Sequence, residues 1–233
     1  MVKLMYALWG TDLAVALGSA EVLAALEQAG ADRVQLNIAG APEVAGAMTL
    51  STLAPPIDAI VSVWTEAVPE PITAVLAPLT DRVVGWEVTE RRPLPPPETW
   101  DGSRADAMAN VAFLRRPDTL DRTEWLRRWL EDHTPIAIAT QATSGYLQNV
   151  VERPVTPDVE HVDAIVEELF PLAAAGDIHA FYGSGGDDAE LRRRMTALLD
   201  SVVRIGAHEN IDVVPTVRHL HSLRGATSAA IWP

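Results

Sequence analysis

The sequence predicts an α+β protein in which two β-α-β-β-α-β units pack sheet against sheet. Three observations carry that expectation. A proline-rich stretch, "RRPLPPPETWDGSRAD" at 91–106, divides the 233 residues into two halves. Consecutive prolines join neither a helix nor a central strand, so the stretch reads as a stiff linker. Short segments on its two sides match in the same order: "LMYAL" (4–8) with "VAFLR" (111–115), "VQLNI" (34–38) with "YLQNV" (146–150), and "IDAIVSVW" (57–64) with "VDAIVEEL" (162–169). On both sides, short apolar strand-like runs alternate with stretches of helical period.

The elements follow in order. "KLMYALW" (3–9) is a strand, "AEVLAALEQAG" a helix ended by Gly30, and "DRVQLNI" (32–38) a second strand. "DAIVSVW" and "RVVGWEVTE" are further strands around a helix near 71–79. In the second half "NVAFLR" leads into "TEWLRRWLEDHTP" (123–135), which Asp121 can cap with Glu124 three positions on. Trp125, Trp129 and His133 recur at i, i+4, i+8 on one face with Leu126 and Leu130, and Pro135 is expected to stop the helix. "GYLQNVV", "DAIVEELF", the helix "DAELRRRMTALLDSVVRIG" and "DVVPTVRHLH" complete the unit. Such a unit makes a four-stranded antiparallel sheet with both helices on one face, and its bare face needs a partner. The expected architecture is two tandem ferredoxin-like βαββαβ repeats forming an intrachain pseudo-dimeric α+β barrel. Residues 1–92 form the first repeat, 93–106 the linker, 107–222 the second repeat with the site, and 223–233 a tail.

Composition removes several function classes. A net charge of −14 and a pI near 4.7 repel phosphate backbones and anionic lipids, so neither nucleic acid nor membrane is an expected partner. The absence of cysteine excludes disulfides, iron–sulfur ligation and thiol nucleophiles. Lys3 is the single lysine and lies in no phosphate-binding loop, and no serine sits in a G-x-S-x-G elbow. The apolar start is interrupted by Asp12, and no eighteen-residue apolar run follows, so the expected location is cytoplasmic. "RHLHS" puts His219 and His221 on one strand face, a spacing that can grip a metal with His179 or Glu167. A wet strand end is the preferred reading, and no metal or cofactor is expected. "YGSGGDD" reads as a capped loop rather than an anion cradle, because Asp187 and Asp188 oppose an anion.

The run from Phe113 through "LRRPDTLDRTEWLRRWLEDHTPIA" to "GYLQN" and "VDAIVEELF" resembles the EthD-like group of the dimeric α+β barrel superfamily. Trp129, His133, Pro135, Tyr146, Gln148, Asn149, Asp163 and Glu167 match its pattern over roughly 108–220, with Thr134 in place of an alanine. The resemblance implies a tandem form of a normally dimeric fold, either monomeric or a homodimer of the pseudo-dimer. It also implies an apolar pocket between sheet and helices holding few polar groups.

His133 then has two readings: a core histidine satisfied near the helix end, or a proton carrier facing an apolar substrate. The expected catalytic residues are His133, Tyr146 and Glu167, Tyr146 holding an enolate-like oxygen and Glu167 orienting His133 or acting itself. Phe113, Trp125, Trp129, Gln148 and Asn149 are expected to contact substrate. The first half is expected to be scaffold, with Gln28 and Ala29 in the place of His133. The expected function is a cofactor-independent lyase or isomerase of dehydratase, decarboxylase or cyclase type, acting on a small hydrophobic carbonyl compound. The rivals are a non-catalytic binding or accessory protein and an oxygenase with haem or with no cofactor.

Overall fold

A computed structural model describes residues 1–157 and 159–223 of the chain. The expected tail beyond Leu223 lies outside the described residues. Strands β1 (Val2–Trp9), β2 (Ala31–Ala39), β3 (Ala59–Thr65) and β4 (Arg82–Leu94) belong to the first half, with helices α1 (Leu13–Leu17), α2 (Ala20–Gln28) and α3 (Pro69–Leu76). The second half holds β5 (Asp101–Leu114), α4 (Arg122–Arg127), a π-helical turn (Arg128–His133), α5 (Thr134–Thr140), β6 (Gly145–Pro154), β7 (Ala164–Phe170), α6 (Ile178–Tyr182), α7 (Asp188–Arg204) and β8 (Asp212–Ser222). Both long strands beside the proline-rich stretch run into it. The segment outside them is therefore only 95–100, because pairing with β6 across the halves extends β4 and pairing with β8 within the second half extends β5.

The eight strands close an antiparallel barrel in the order β1-β3-β2-β8-β5-β7-β6-β4. Within each half the order is the same, β4-β1-β3-β2 and β8-β5-β7-β6, and the seams β2–β8 and β4–β6 join the halves. Register bears out two of the three sequence matches at single-residue level, while the match of 4–8 with 111–115 is one residue off, Met5 rather than Leu4 being the equivalent of Val111. Asn37 lies opposite Ile60 as Asn149 lies opposite Ile165, and Ser62 opposite Met5 as Glu167 opposite Val111.

Alternation along the strands sends side chains to two buried environments. One set faces the barrel interior: Met5, Ala7, Trp9, Ile60, Trp86, Phe113 and Ile165 fill one end with apolar groups. Its other end is polar and buried. Gln35 Nε2 donates to Glu167 Oε2 at 2.8 Å, Asn37 Nδ2 to Glu167 Oε1 at 3.1 Å, and Arg218 Nε stands 3.2 Å from Glu167 Oε1. Lys3 Nζ donates to Asn149 Oδ1 at 2.8 Å. The other set faces outward under the helices, filled in the first half by Leu4, Tyr6, Leu8, Leu17, Leu26, Val34, Leu36, Ile72 and Leu76.

Pro135 does not end its helix. Thr134 N–H reaches back to Trp129 O, a five-residue step, and the wider turn lets the chain continue as α5 to Thr140. Proline lacks the N–H for an α-helical bond to Glu131, and its ring would clash with that carbonyl; a π-turn relieves both. At the end of α2, Gly30 adopts φ +100, where an added Cβ would fall 2.7 Å from the Ala67 Cβ.

Candidate functional site

A cavity of about 350 Å³ lies in the second half between the outer face of the sheet and the helices. Its floor is a polar row across three strands: Asn110 on β5 lies opposite Glu168 on β7, and Glu168 opposite Tyr146 on β6. Its roof carries Trp129 and His133 from the π-turn and Leu198 and Val202 from α7, while Gln141, Phe181 and Tyr182 close one end. Most of the remaining lining is aliphatic, so the few polar groups stand in a medium that strengthens every interaction they make.

His133 is 7% exposed, and its Nδ1 shares a 3.0 Å hydrogen bond with Ser201 Oγ on α7. Burial, aided by the Arg204 cation, pulls its pKa down to about 4, so the ring is uncharged at neutral pH. Tyr146 is fully buried, and burial, with Glu168 adding, pushes its phenol far above the ordinary value; it stays protonated as a donor. Burial alone raises the Glu168 carboxyl to about 7. With its amide oriented to satisfy both neighbours, Gln141 donates to Glu168 Oε1 at 3.0 Å. Asn110 Oδ1 is buried with no hydrogen-bond partner among the described residues, while the side chains of Thr134 and Trp129 stand at the Tyr146 hydroxyl and partly offset the effect of burial on it. Unpaired polar atoms cost stability, and at a cavity wall they are where a ligand's own polar groups can be met.

The structure brings together His133, Tyr146 and Trp129 among the sequence-predicted residues. It separates the others. Glu167 faces the barrel interior on the opposite side of β7, held between Gln35, Asn37 and Arg218, so it has no route to His133. Burial would raise its pKa, yet Arg218 and Lys3 together with the hydrogen bonds from Gln35 and Asn37 hold it below the ordinary value. Phe113 also points inward, its ring 5.8 Å from that of Trp86, as does Asn149, which accepts from Lys3 and donates to Ile165 O. Trp125 backs the wall instead of forming it: it stacks on Trp129 with centroids 5.6 Å apart and donates from Nε1 to Ile205 O. Gln148 lies behind the π-turn, donating to Thr134 Oγ1 at 2.6 Å, and Thr134 Oγ1 in turn donates to Trp129 O.

Sequence reasoning missed Glu168, Asn110, Gln141 and Ser201. It also missed a contribution from the first half, whose segment before β3 brings Met48 and Leu50 to the cavity mouth. Leu50 and Val213 exchange backbone hydrogen bonds at 3.2 and 2.8 Å. Asp212 fixes Thr52 and Leu53 just beyond, accepting from Thr52 N at 2.6 Å and Leu53 N at 3.0 Å while pairing with Arg115 at 2.7 Å. The first half is thus part of the site. The first-half counterpart of His133 also differs from expectation. Aligned on the helix ends Gln28 and Thr140, His133 falls opposite Glu21, which is exposed to solvent.

His219 and His221 line a different cleft, beside α1 and Pro42, where His219 Nδ1 meets Gly102 O at 3.2 Å. Among the described residues no group of three or more metal-ligating side chains gathers there or elsewhere. No helix among the described residues is long and apolar enough to cross a membrane.

No family model and no curated protein matches the chain. Solved structures do. An anthrone oxidase-like protein superposes with a TM-score of 0.56 at 12% identity, covering 99% of this chain and 97% of that one. A protein of Fusobacterium nucleatum subsp. nucleatum named as a monooxygenase gives a TM-score of 0.46 at 6% identity, over 96% and 92% of the two chains. The chain shares its α+β closed-barrel fold with the first of these. At such identities the likeness speaks for the fold and leaves the chemistry to the site.

Proposed function

We propose that the chain is a tandem pair of ferredoxin-like repeats, 1–92 and 107–222, of EthD-like kinship, and that it catalyses proton transfer on a small hydrophobic carbonyl compound. The reaction is of lyase or isomerase type and draws on no cofactor. One observation carries this reading: an apolar cavity of about 350 Å³ joins an uncharged imidazole, a protonated phenol and a carboxyl of near-neutral pKa. An apolar enclosure binds a hydrophobic molecule and, by excluding water, makes hydrogen bonds to a developing enolate oxygen count. A group that titrates near the working pH can take and return a proton within one turnover. Trp129 and the aliphatic walls support a substrate of aromatic or alicyclic character.

The test is exchange of the α-protons of 2-tetralone in D2O, followed by proton NMR with and without protein. Acceleration above the buffer rate is the expected result; binding without acceleration would favour the non-catalytic rival. Running the reaction under air and under nitrogen separates the oxygenase rival, since proton transfer alone is indifferent to O2.

A further inference from the structure

Two adjacent glutamates on β7 point to opposite sides of the sheet, and only one of them meets the cavity. We infer that Glu168 is the proton carrier of this site, its carboxylate taking the α-proton of the bound carbonyl compound while His133 and Tyr146 hold the oxygen on which charge develops. The inference rests on the proton-transfer reading above and assigns its parts.

Glu168 occupies the middle of the floor, flanked in register by Asn110 and Tyr146. The groups facing it are Tyr146 from β6, Asn110 from β5, Gln141 from the end of α5, His133 from the π-turn and Tyr182 from α6, with His208 on the same cavity beyond α7. All but the two histidines are neutral near pH 7 by chemistry, and His133 is held neutral by burial. No cation shifts Glu168; burial alone brings it to about 7, where acid and base forms coexist. His133, held at about 4, is a poor base for a carbon acid but a good donor. If Ser201 donates to Nδ1, the ring proton sits on Nε2, ready to hydrogen-bond a substrate oxygen.

The step balances without any other reactant. The α C–H bond breaks, its proton goes to the Glu168 carboxylate, and its electron pair forms the enolate C=C as the carbonyl oxygen gains charge. That oxygen accepts from His133 Nε2–H and Tyr146 O–H. The neutral Glu168 then returns its proton, either to another carbon or to a departing hydroxyl.

The experiment follows 2-tetralone exchange across pH in the wild type and in Glu168→Gln, Glu168→Asp and His133→Asn. Tryptophan fluorescence reads binding of the same ketone. The wild-type rate is expected to rise through an inflection near neutrality. Glu168→Gln is expected to lose the inflection and about 10²–10⁴ in rate while still binding. Glu168→Asp keeps the inflection at a reduced rate, and His133→Asn lowers the rate at every pH with the inflection in place. An inflection that survives in Glu168→Gln, or disappears in His133→Asn, overturns the assignment while leaving the enzyme reading standing. A wild type that accelerates no exchange overturns both. Infrared spectra of the free protein give a second reading: the stretch of a protonated carboxyl at pH 6 is expected in the wild type and absent in Glu168→Gln, and its absence from the wild type refutes the assignment.

Discussion

His133 Nδ1 stands 3.0 Å from the Ser201 hydroxyl, and this bond ties the π-turn to α7 across the roof of the cavity. Ser201 is 1% exposed. Ser201→Ala leaves a buried imidazole nitrogen unpaired, at a cost of about 1–3 kcal/mol in urea unfolding. It also frees the ring to choose its tautomer, so 2-tetralone exchange should slow while its pH inflection stays in place. Unchanged stability together with an unchanged rate would detach this bond from the site.

His133 and Glu168 act on stability in opposite pH ranges. His133 titrates near 6.5 when unfolded and near 4 when folded, so as pH falls from 6.5 to 4 the unfolded state gains a proton the native state refuses. The native state therefore loses stability on acidification, by at most about 3 kcal/mol. Glu168 titrates near 4.5 unfolded and near 7 folded, so the native state loses stability as pH rises through that window, again by at most about 3 kcal/mol. His133→Asn should raise Tm at pH 4.5 relative to wild type, and Glu168→Gln should raise it at pH 8 but not at pH 4. Thermal melts at those pH values check both signs.

Glu167 should behave as a structural residue. Glu167→Ala removes one of the two carboxylates beside Arg218, which is 1% exposed, and leaves Glu98 at 3.2 Å on the other side, so a loss of up to about 3 kcal/mol of stability is expected. In the folded fraction that remains, 2-tetralone exchange should run at the wild-type rate. A stable Glu167→Ala protein that has lost exchange would return Glu167 to the mechanism.

Asp212 clamps the first-half segment at the cavity mouth. Burial would raise its pKa, but the Leu53 and Thr52 amides and Arg115 hold it below the ordinary aspartate value. Asp212→Ala should release the segment bearing Met48 and Leu50. Amide exchange at Leu50 and Val213 should then accelerate, and 2-tetralone should bind more weakly by about tenfold, equivalent to about 1.4 kcal/mol. Retained protection at both amides would show that the Leu50–Val213 pairing holds the segment without Asp212.

Pro135 should matter more for geometry than for folding. Pro135→Ala restores the N–H that an α-helical bond to Glu131 needs, so the π-turn loses its cause. The helix should then wind more tightly and carry His133 away from its position beside Ser201. Stability is expected to hold, exchange to fall, and the His133 ring to titrate nearer its ordinary value by NMR. An unmoved imidazole titration would mean that packing of Trp125 and Trp129 alone maintains the π-turn.

All eight strands were legible in the sequence because each is a short apolar run between turn signals, and Asn37 and Asn149 even marked the equivalent registers. What the sequence does not reveal is which face of each strand looks where. In a closed barrel under helices both faces are buried, so neither Glu167 nor Glu168 is marked by polarity as the outward one. The same ambiguity hid Phe113 and Asn149 in the interior. The helix that bears His133 was legible by its tryptophans, but its π-turn was not, because Pro135 is an ordinary stop signal unless tertiary packing makes the chain continue. Met48 and Leu50 carry no local pattern at all; only closure of the β2–β8 seam brings them to the second half.

That seam has a genetic consequence. In a two-fold dimer every codon is read into both subunits, so a change at the interface appears twice and must suit both environments. Here Gln35 and Asn37 meet Glu167 across one seam while Lys3 meets Asn149 near the other, each residue encoded once. Ser62 and Glu167, equivalent in register, are a small hydroxyl and a buried charge. With both halves in one chain each position answers to a single environment, and the cavity draws Glu168 and His133 from one half and Met48 and Leu50 from the other.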